Sequence, residues 1–178
     1  AKELSATQCV PSGFYGTHNF IEYSLLSIDD DSVFKKILNY CDVTTEDKWG
    51  NTLLHYAALS PTTKAEHICT LVNLGLDINA KNNDGLTPLC HGIFSGRLPY
   101  YWKGSDWKGS PSIHNWEALL TFGANPNIPD ALGANCLHML ATSEFEIDGY
   151  EGRVKLLVDN GANIEASDEL ERTPLMCA

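Results

Sequence analysis

A short motif that recurs four times along the chain constrains the fold more than any other feature of the sequence. Each copy carries Thr or Asn two positions before a leucine, with mostly apolar residues around it. The copies lie at 51–58, 86–91, 134–141 and 172–178. Their equivalent leucines are Leu54, Leu89, Leu137 and Leu175, at spacings of 35, 48 and 38 residues. Repetition with a period of about 20–50 residues indicates a stack of similar supersecondary units.

A second motif repeats in step with the first, at 71–80, 119–127 and 156–166. Each copy reads as the end of an amphipathic helix followed by a glycine, at Gly75, Gly123 and Gly161. Glycine after a helix typically adopts the left-handed conformation that closes the last turn. The pattern therefore predicts a helix end, a tight cap, an extended stretch and then a turn in each unit.

Together the two motifs resemble the ankyrin repeat, a β-turn finger followed by two antiparallel helices in about 33 residues. The resemblance covers residue 17 to the end and implies an all-α solenoid of stacked helix-turn-helix units with β-turn fingers. The expected units are about 17–46, 47–81, 82–129 and 130–167, with a partial unit at 168–178 and an irregular lead-in at 1–16.

The last expected unit stops inside its first helix. Stacked repeats bury one face against the next unit, so a terminal repeat needs a polar outer face, and the stretch Thr173–Ala178 lacks one. We therefore expect the natural protein to continue beyond residue 178.

Composition narrows the class of protein. With 43% hydrophobic and 20% charged residues the chain is globular, and 12 basic against 23 acidic side chains give a net charge of −11. Such a surface repels phosphate backbones, which disfavours nucleic-acid binding. No apolar run approaches the roughly 18 residues of a membrane helix, so we expect no membrane insertion.

The six cysteines are widely spaced without a CxxC pair, which favours reduced thiols in the cytoplasm, or in the host cytosol for a pathogen effector.

No residue pattern indicates catalysis, a cofactor or a metal site. His55 and His138 occupy the family's histidine slot, where the resemblance implies a structural imidazole that links neighbouring turns. On a helix the adjacent Cys90 and His91 point about 100° apart, and Cys136 diverges more from His138, so neither pair forms a nucleophile and base. The sequence therefore predicts a protein without enzymatic activity.

The largest insertion, about 96–112, is the first candidate binding surface. It is locally basic and rich in aromatic residues, and the tetrad Trp-Lys-Gly-Ser occurs in it twice. Long loops in compact domains often carry function, and Trp, Tyr and Arg dominate binding hot spots. Its candidate contact residues are Tyr100, Tyr101, Trp102 and Trp107. Alternatively, these aromatics fold back and cover the helices.

The finger tips are the second candidate surface. The tip residues are Trp49, Asp84, Leu132 and Leu170. The ankyrin resemblance implies that such tips line a concave groove for partner proteins, together with the inner-helix residues Tyr56, His91 and Met139. Alternatively, Trp49 packs against its neighbouring finger.

One modification site follows from the same resemblance. The residues Leu71, Asp77, Ile78, Asn79 and Ala80 match the pattern that asparaginyl hydroxylases modify in ankyrin fingers. Asn79 would be the acceptor. The alternative is a purely structural asparagine whose side chain bonds the local backbone.

The function that the sequence predicts is a protein–protein interaction module that acts through its fingers, its inner helices or the 96–112 loop. The alternative is a substrate-docking or targeting domain of a larger enzyme or pathogen effector whose catalytic part lies outside this chain.

Overall fold

A computed structural model describes residues 42–60, 63–94, 113–142 and 150–178, together with Phe34, Lys35 and Leu38. All regular elements within these ranges are α-helices, which agrees with the predicted all-α class. The complete helices are α1 (Leu53–Leu59), α2 (Ala65–Asn73), α3 (Pro88–Phe94), α4 (Ile113–Thr121), α5 (Cys136–Ala141), α6 (Tyr150–Asp159) and α7 (Pro174–Cys177). The predicted lead-in, most of the first expected unit and the aromatic residues of the 96–112 loop lie outside the described residues.

The helices pack in a repeating order. Consecutive helices contact each other as the pairs α1–α2, α3–α4 and α5–α6. The first helix of each pair also packs on the first helix of the next, so that α1, α3, α5 and α7 form one row. Helix α2 contacts α4 in a second row. We refer to these as the first row and the second row.

Apolar residues at equivalent positions build a core between the two rows. The motif leucines Leu54, Leu89 and Leu137 are buried in the first row, and Leu71 and Leu119 are fully buried in the second. Each buried leucine removes apolar surface from water, which stabilises the fold by about 1.5–3 kcal/mol. The fourth motif leucine is an exception, because Leu175 on α7 is 85% exposed.

The left-handed helix cap that the second motif predicts is confirmed at all three glycines. Gly75, Gly123 and Gly161 have φ angles of 94°, 97° and 85°. The amide after each glycine donates back to a carbonyl five residues earlier, as in the bond from Leu76 N to Leu71 O at 3.3 Å. This hydrogen bond satisfies a carbonyl that the helix end would otherwise leave unpaired.

The two slot histidines connect neighbouring units, as the resemblance implies. The backbone N–H of Thr52 donates to His55 Nδ1 at 3.0 Å, so the proton of the neutral ring lies on Nε2. That Nε2–H lies 2.9 Å from the carbonyl oxygen of Leu86, at the start of the next unit. His138 repeats the arrangement and reaches the carbonyl oxygen of Arg172 at 2.8 Å.

Candidate functional site

A four-residue turn precedes each first-row helix. We name these turns finger 1 (47–50), finger 2 (82–85), finger 3 (130–133) and finger 4 (168–171). The first residue of each is Asp or Asn, and its Oδ1 accepts the N–H groups two and four residues later at 2.8–3.0 Å. This side chain satisfies backbone donors in the turn, which explains why a short polar residue begins every finger.

Backbone hydrogen bonds join each finger to the next. The second residue of a finger donates its N–H to the carbonyl of the third residue in the preceding finger. The donor–acceptor pairs are Asn83 N to Trp49 O at 2.8 Å, Ala131 N to Asp84 O at 3.2 Å, and Glu169 N to Leu132 O at 3.1 Å. The third residues thus occur at one repeated position along a continuous ladder.

The fourth finger position requires a left-handed backbone and a close approach. Gly85 has φ of +77°, and a Cβ there would lie 2.6 Å from the backbone N of Ala131. In finger 4 the equivalent residue is Glu171, the only described non-glycine residue with positive φ, at 59°. A left-handed conformation costs a residue with a side chain roughly 1–2 kcal/mol, so finger 4 is strained where its predecessors are not.

Large apolar side chains are exposed at the third finger position. The exposed fractions are 40% for Trp49, 67% for Leu132 and 70% for Leu170, and Asp84 at the same position in finger 2 is also exposed. Lys48 places its Nζ 4.1 Å from the centre of the Trp49 ring, so a cation–π contact covers one face of the indole. The four predicted tip residues therefore all lie on the accessible surface.

The three predicted inner-helix residues are buried instead. The Tyr56 hydroxyl donates a hydrogen bond to the Asp47 carboxylate, and His91 Nδ1 lies 3.4 Å from the carbonyl oxygen of His55. These bonds hold the side chains within the protein, which leaves little of them for a partner to contact. Met139 is also buried but lines a cavity, and a binding role for the three residues stays a prediction.

A cavity of about 130 Å³ lies between fingers 3 and 4 and the first-row helices. Its apolar wall includes Phe94, Leu132 and Met139, and its polar wall includes Asp130 and the ion pair between Asp168 and Arg172. The Arg172 guanidinium lies 2.6 and 2.8 Å from Asp168 Oδ2. These hydrogen bonds lower the pKa of the Asp168 carboxyl and raise that of Arg172. The lining of the cavity thus combines apolar side chains with charged ones.

Buried titratable groups below the fingers are held neutral. The rings of His55 and His91 lie 5.5 Å apart, and burial lowers the pKa of each to about 4. Burial also raises the pKa of the Cys136 thiol, and a hydrogen bond with Cys90 raises it further. A protonated, buried thiol is a poor nucleophile. No sequence pattern predicted this contact between two cysteines that lie next to equivalent motif leucines.

Asn79 bridges two units through its side chain. Its Oδ1 accepts the backbone N–H of Asn125 at 2.8 Å, while its own N–H donates to Asp77 Oδ1 at 2.9 Å. Asn127 makes the same contact one unit later, accepting the N–H of Asn163 at 2.7 Å. Asn79 therefore has a structural role, and its hydroxylation stays a prediction.

Neither a membrane-spanning helix nor a metal-binding cluster occurs within the described ranges. None of their helices combines the length and the apolar character needed to cross a bilayer. No group of three or more His, Cys, Asp or Glu side chains in these ranges is arranged to hold a metal ion.

The chain is similar to neurogenic locus notch homolog protein 1 from several vertebrates. Identity is 31% with the Danio rerio protein over 142 residues, which is 79% of this chain. It is also 31% with the Homo sapiens protein over 137 residues, or 77% of this chain. These matches cover 5% and 4% of the two proteins, so the chain spans about one twentieth of the length of the curated relatives it matches. No protein-family model matches the sequence.

Proposed function

We propose that the chain is an ankyrin-repeat module that binds a partner protein through its finger tips and catalyses no reaction of its own. The two phased sequence motifs support the repeat assignment. The order of helix contacts and the histidine links from each unit to the next are consistent with it. The proposed location is the cytoplasm, and the four described cysteines, all free thiols, fit a reducing compartment.

Exposed apolar side chains at the repeated third position of the fingers carry the proposal. Leu132 and Leu170 are about two-thirds exposed on neighbouring fingers, and Trp49 occupies the same position in finger 1. Contiguous apolar patches on soluble proteins commonly mark sites where a partner binds, and Leu132 and Leu170 lie on adjacent fingers. Tryptophan is also enriched among residues that dominate binding energy.

The hydrogen-bond ladder favours binding at this surface. The turn backbone is paired within each finger and between fingers, so the tips are held in place before a partner arrives. A preorganised surface loses less conformational freedom on association, which leaves more of the contact energy available for affinity.

Peptide selection tests the proposal without knowledge of the natural partner. A displayed library of random twelve-residue peptides is selected on the immobilised chain, and the affinity of an enriched peptide is measured for variants. The triple variant Trp49→Ala, Leu132→Ala and Leu170→Ala is expected to bind at least tenfold more weakly. The matched control replaces three exposed apolar residues outside the fingers, Leu74→Ala, Val158→Ala and Ile164→Ala, and is expected to bind normally.

A further pair, Trp102→Ala and Trp107→Ala, separates the fingers from the 96–112 loop. Circular dichroism establishes that each variant is folded before its affinity is compared. The finger-tip proposal would be contradicted if only the loop pair lost binding, or if the triple variant bound the peptide as tightly as the wild type does. It would also be contradicted if no peptide were enriched.

A further inference from the structure

The first residues of the four fingers differ in how their second polar side-chain atom is used. In finger 1, Asp47 Oδ2 accepts hydrogen bonds from Asn51 Nδ2 at 3.1 Å and from the Tyr56 hydroxyl. In finger 2, Asn82 Nδ2 donates to Asn51 Oδ1 at 2.9 Å. In finger 4, Arg172 occupies Asp168 Oδ2. Three of the four fingers thus satisfy this atom within the protein.

Finger 3 is different. Oδ1 of Asp130 accepts the N–H groups of Leu132 and Ala134 at 2.8 and 2.9 Å, as in the other fingers. Oδ2 has no partner among the described residues. In finger 1 the equivalent oxygen accepts from Asn51 and Tyr56. The corresponding residues of finger 3 are Ala134 and Met139, whose side chains have no hydrogen-bond donor.

This carboxylate oxygen belongs to a group that lines the cavity between fingers 3 and 4. The cavity is also lined by apolar side chains, which include Phe94, Leu132 and Met139. The other acid of the cavity, Asp168, is already neutralised by Arg172. Among the described residues that line the cavity, Asp130 is therefore the acid whose negative charge has no ion-pair partner.

This combination of apolar lining and an unpaired carboxylate suits a lysine or arginine side chain. An aliphatic stem covers apolar surface while its cationic end pairs with a carboxylate, an arrangement that both residues commonly adopt. A purely apolar side chain would desolvate Asp130 without pairing it, and an acidic one would be repelled. The net charge of −11 would also speed the approach of a basic partner.

We propose that the cavity between fingers 3 and 4 binds one lysine or arginine side chain of the partner protein, whose cation pairs with Asp130. This inference rests on the proposed finger-tip function and names the chemistry of the segment that docks there.

The substitution Asp130→Asn removes the charge and keeps the turn. Asn82 already fills the equivalent position of finger 2, where its Oδ1 accepts the same two backbone N–H groups at 3.0 and 2.9 Å. The matched control is Asp159→Asn, which removes a carboxylate from the exposed surface of α6, where it pairs with Lys155. Both variants lower the net negative charge by one, so a difference between them reports on position.

The probe is a peptide enriched on the wild-type chain as above, together with versions in which each Lys or Arg is replaced in turn by norleucine. Asp130→Asn is expected to weaken binding of the original peptide about fivefold, and Asp159→Asn less than twofold. One of the norleucine peptides is expected to bind the wild-type chain about fivefold more weakly than the original peptide binds it. The same norleucine peptide and the original peptide are expected to bind the Asp130→Asn variant with equal affinity. This non-additivity would identify the paired side chain.

The results separate the two proposals. Enriched peptides without Lys or Arg, or an unchanged affinity for Asp130→Asn, would overturn the basic-side-chain inference. The inference would also be overturned if each norleucine replacement weakened binding to the wild-type chain and to Asp130→Asn by the same factor. If the triple tip variant still fails to bind in those cases, the finger-tip function stands and only this inference falls. If the triple tip variant binds normally, the finger-tip function itself is wrong.

Discussion

His55 Nε2 donates a hydrogen bond to the carbonyl oxygen of Leu86 across 2.9 Å, which joins two units 31 residues apart through a buried ring. The other ring nitrogen accepts the N–H of Thr52, so both nitrogens are used by the neutral imidazole. Protonation at Nδ1 would replace this acceptor with a donor facing another donor. The link therefore depends on the ring remaining neutral.

A lower pH should decrease the stability of the protein, because the His55 ring and the neighbouring His91 ring are neutral in the folded state. Burial lowers the pKa of His55 and of His91 from 6.5 to about 4, so between these pH values the unfolded chain binds protons that the folded chain does not. The free energy of unfolding should be at its highest above pH 6.5 and should decrease as the pH falls toward 4. The decrease should reach up to about 3 kcal/mol for each ring. Urea unfolding followed by circular dichroism at a series of pH values measures this loss.

The variant His91→Gln provides the comparison, because it removes one of the two titrating rings. Its stability should fall less steeply than that of the wild type between pH 6.5 and 5. This window lies above the range of Asp42 and Asp168, since hydrogen bonds from Thr44 and Arg172 lower the pKa of those carboxyls below 3.8. Equal slopes for the two proteins would show that His91 does not contribute to the acid sensitivity.

Gly85→Ala should destabilise the protein more than Gly123→Ala. Both glycines have positive φ, so either substitution strains the backbone by about 1 kcal/mol. At Gly85 the new Cβ would also lie 2.6 Å from the backbone N of Ala131, whereas at Gly123 nothing lies within 4 Å. Chemical unfolding should place the Gly85 variant at least about 1 kcal/mol below the Gly123 variant. Equal stabilities would mean that the fingers separate without cost.

Glu171→Gly should stabilise the protein. Glu171 holds a φ of 59° that glycine adopts without strain, and relief of this strain should exceed the entropy that glycine adds to the unfolded chain. The expected gain is about 0.5–1 kcal/mol in the free energy of unfolding. The control Glu169→Gly, at a position without positive φ, should lower stability instead. A loss of stability in both variants would show that finger 4 is not strained.

Local sequence features predicted much of the architecture. The cap glycines and slot histidines form the expected interactions because each depends on a few residues at fixed spacing within a unit and on the next copy of the same unit. The exposure of Trp49, Leu132 and Leu170 also follows from the finger position that the motif gives them. These features repeat, so one unit predicts the next.

The candidate site was less predictable because it depends on departures from the repeat. Tyr56 and His91 were expected to face a groove, but close packing and hydrogen bonds to Asp47 and His55 bury them. The sequence motifs did not predict a role for Asp130, although Ala134 occupies the position at which finger 1 has the donor Asn51. The free oxygen of Asp130 can be identified only when the hydrogen-bond partners of the first residue in each finger are known. Those partners depend on the three-dimensional positions of the side chains.

Methyl NMR tests the central claim that the finger tips bind a partner most directly. The Leu, Ile, Val and Met methyl signals of the intact chain are recorded during titration with a peptide enriched on the wild-type protein. We expect the largest shifts at the methyl signals of Leu132, Leu170 and Met139, while the signals of the exposed residues Leu74, Val158 and Ile164 stay unchanged. Largest shifts at Leu74, Val158 or Ile164, with Leu132 and Leu170 unaffected, would contradict it.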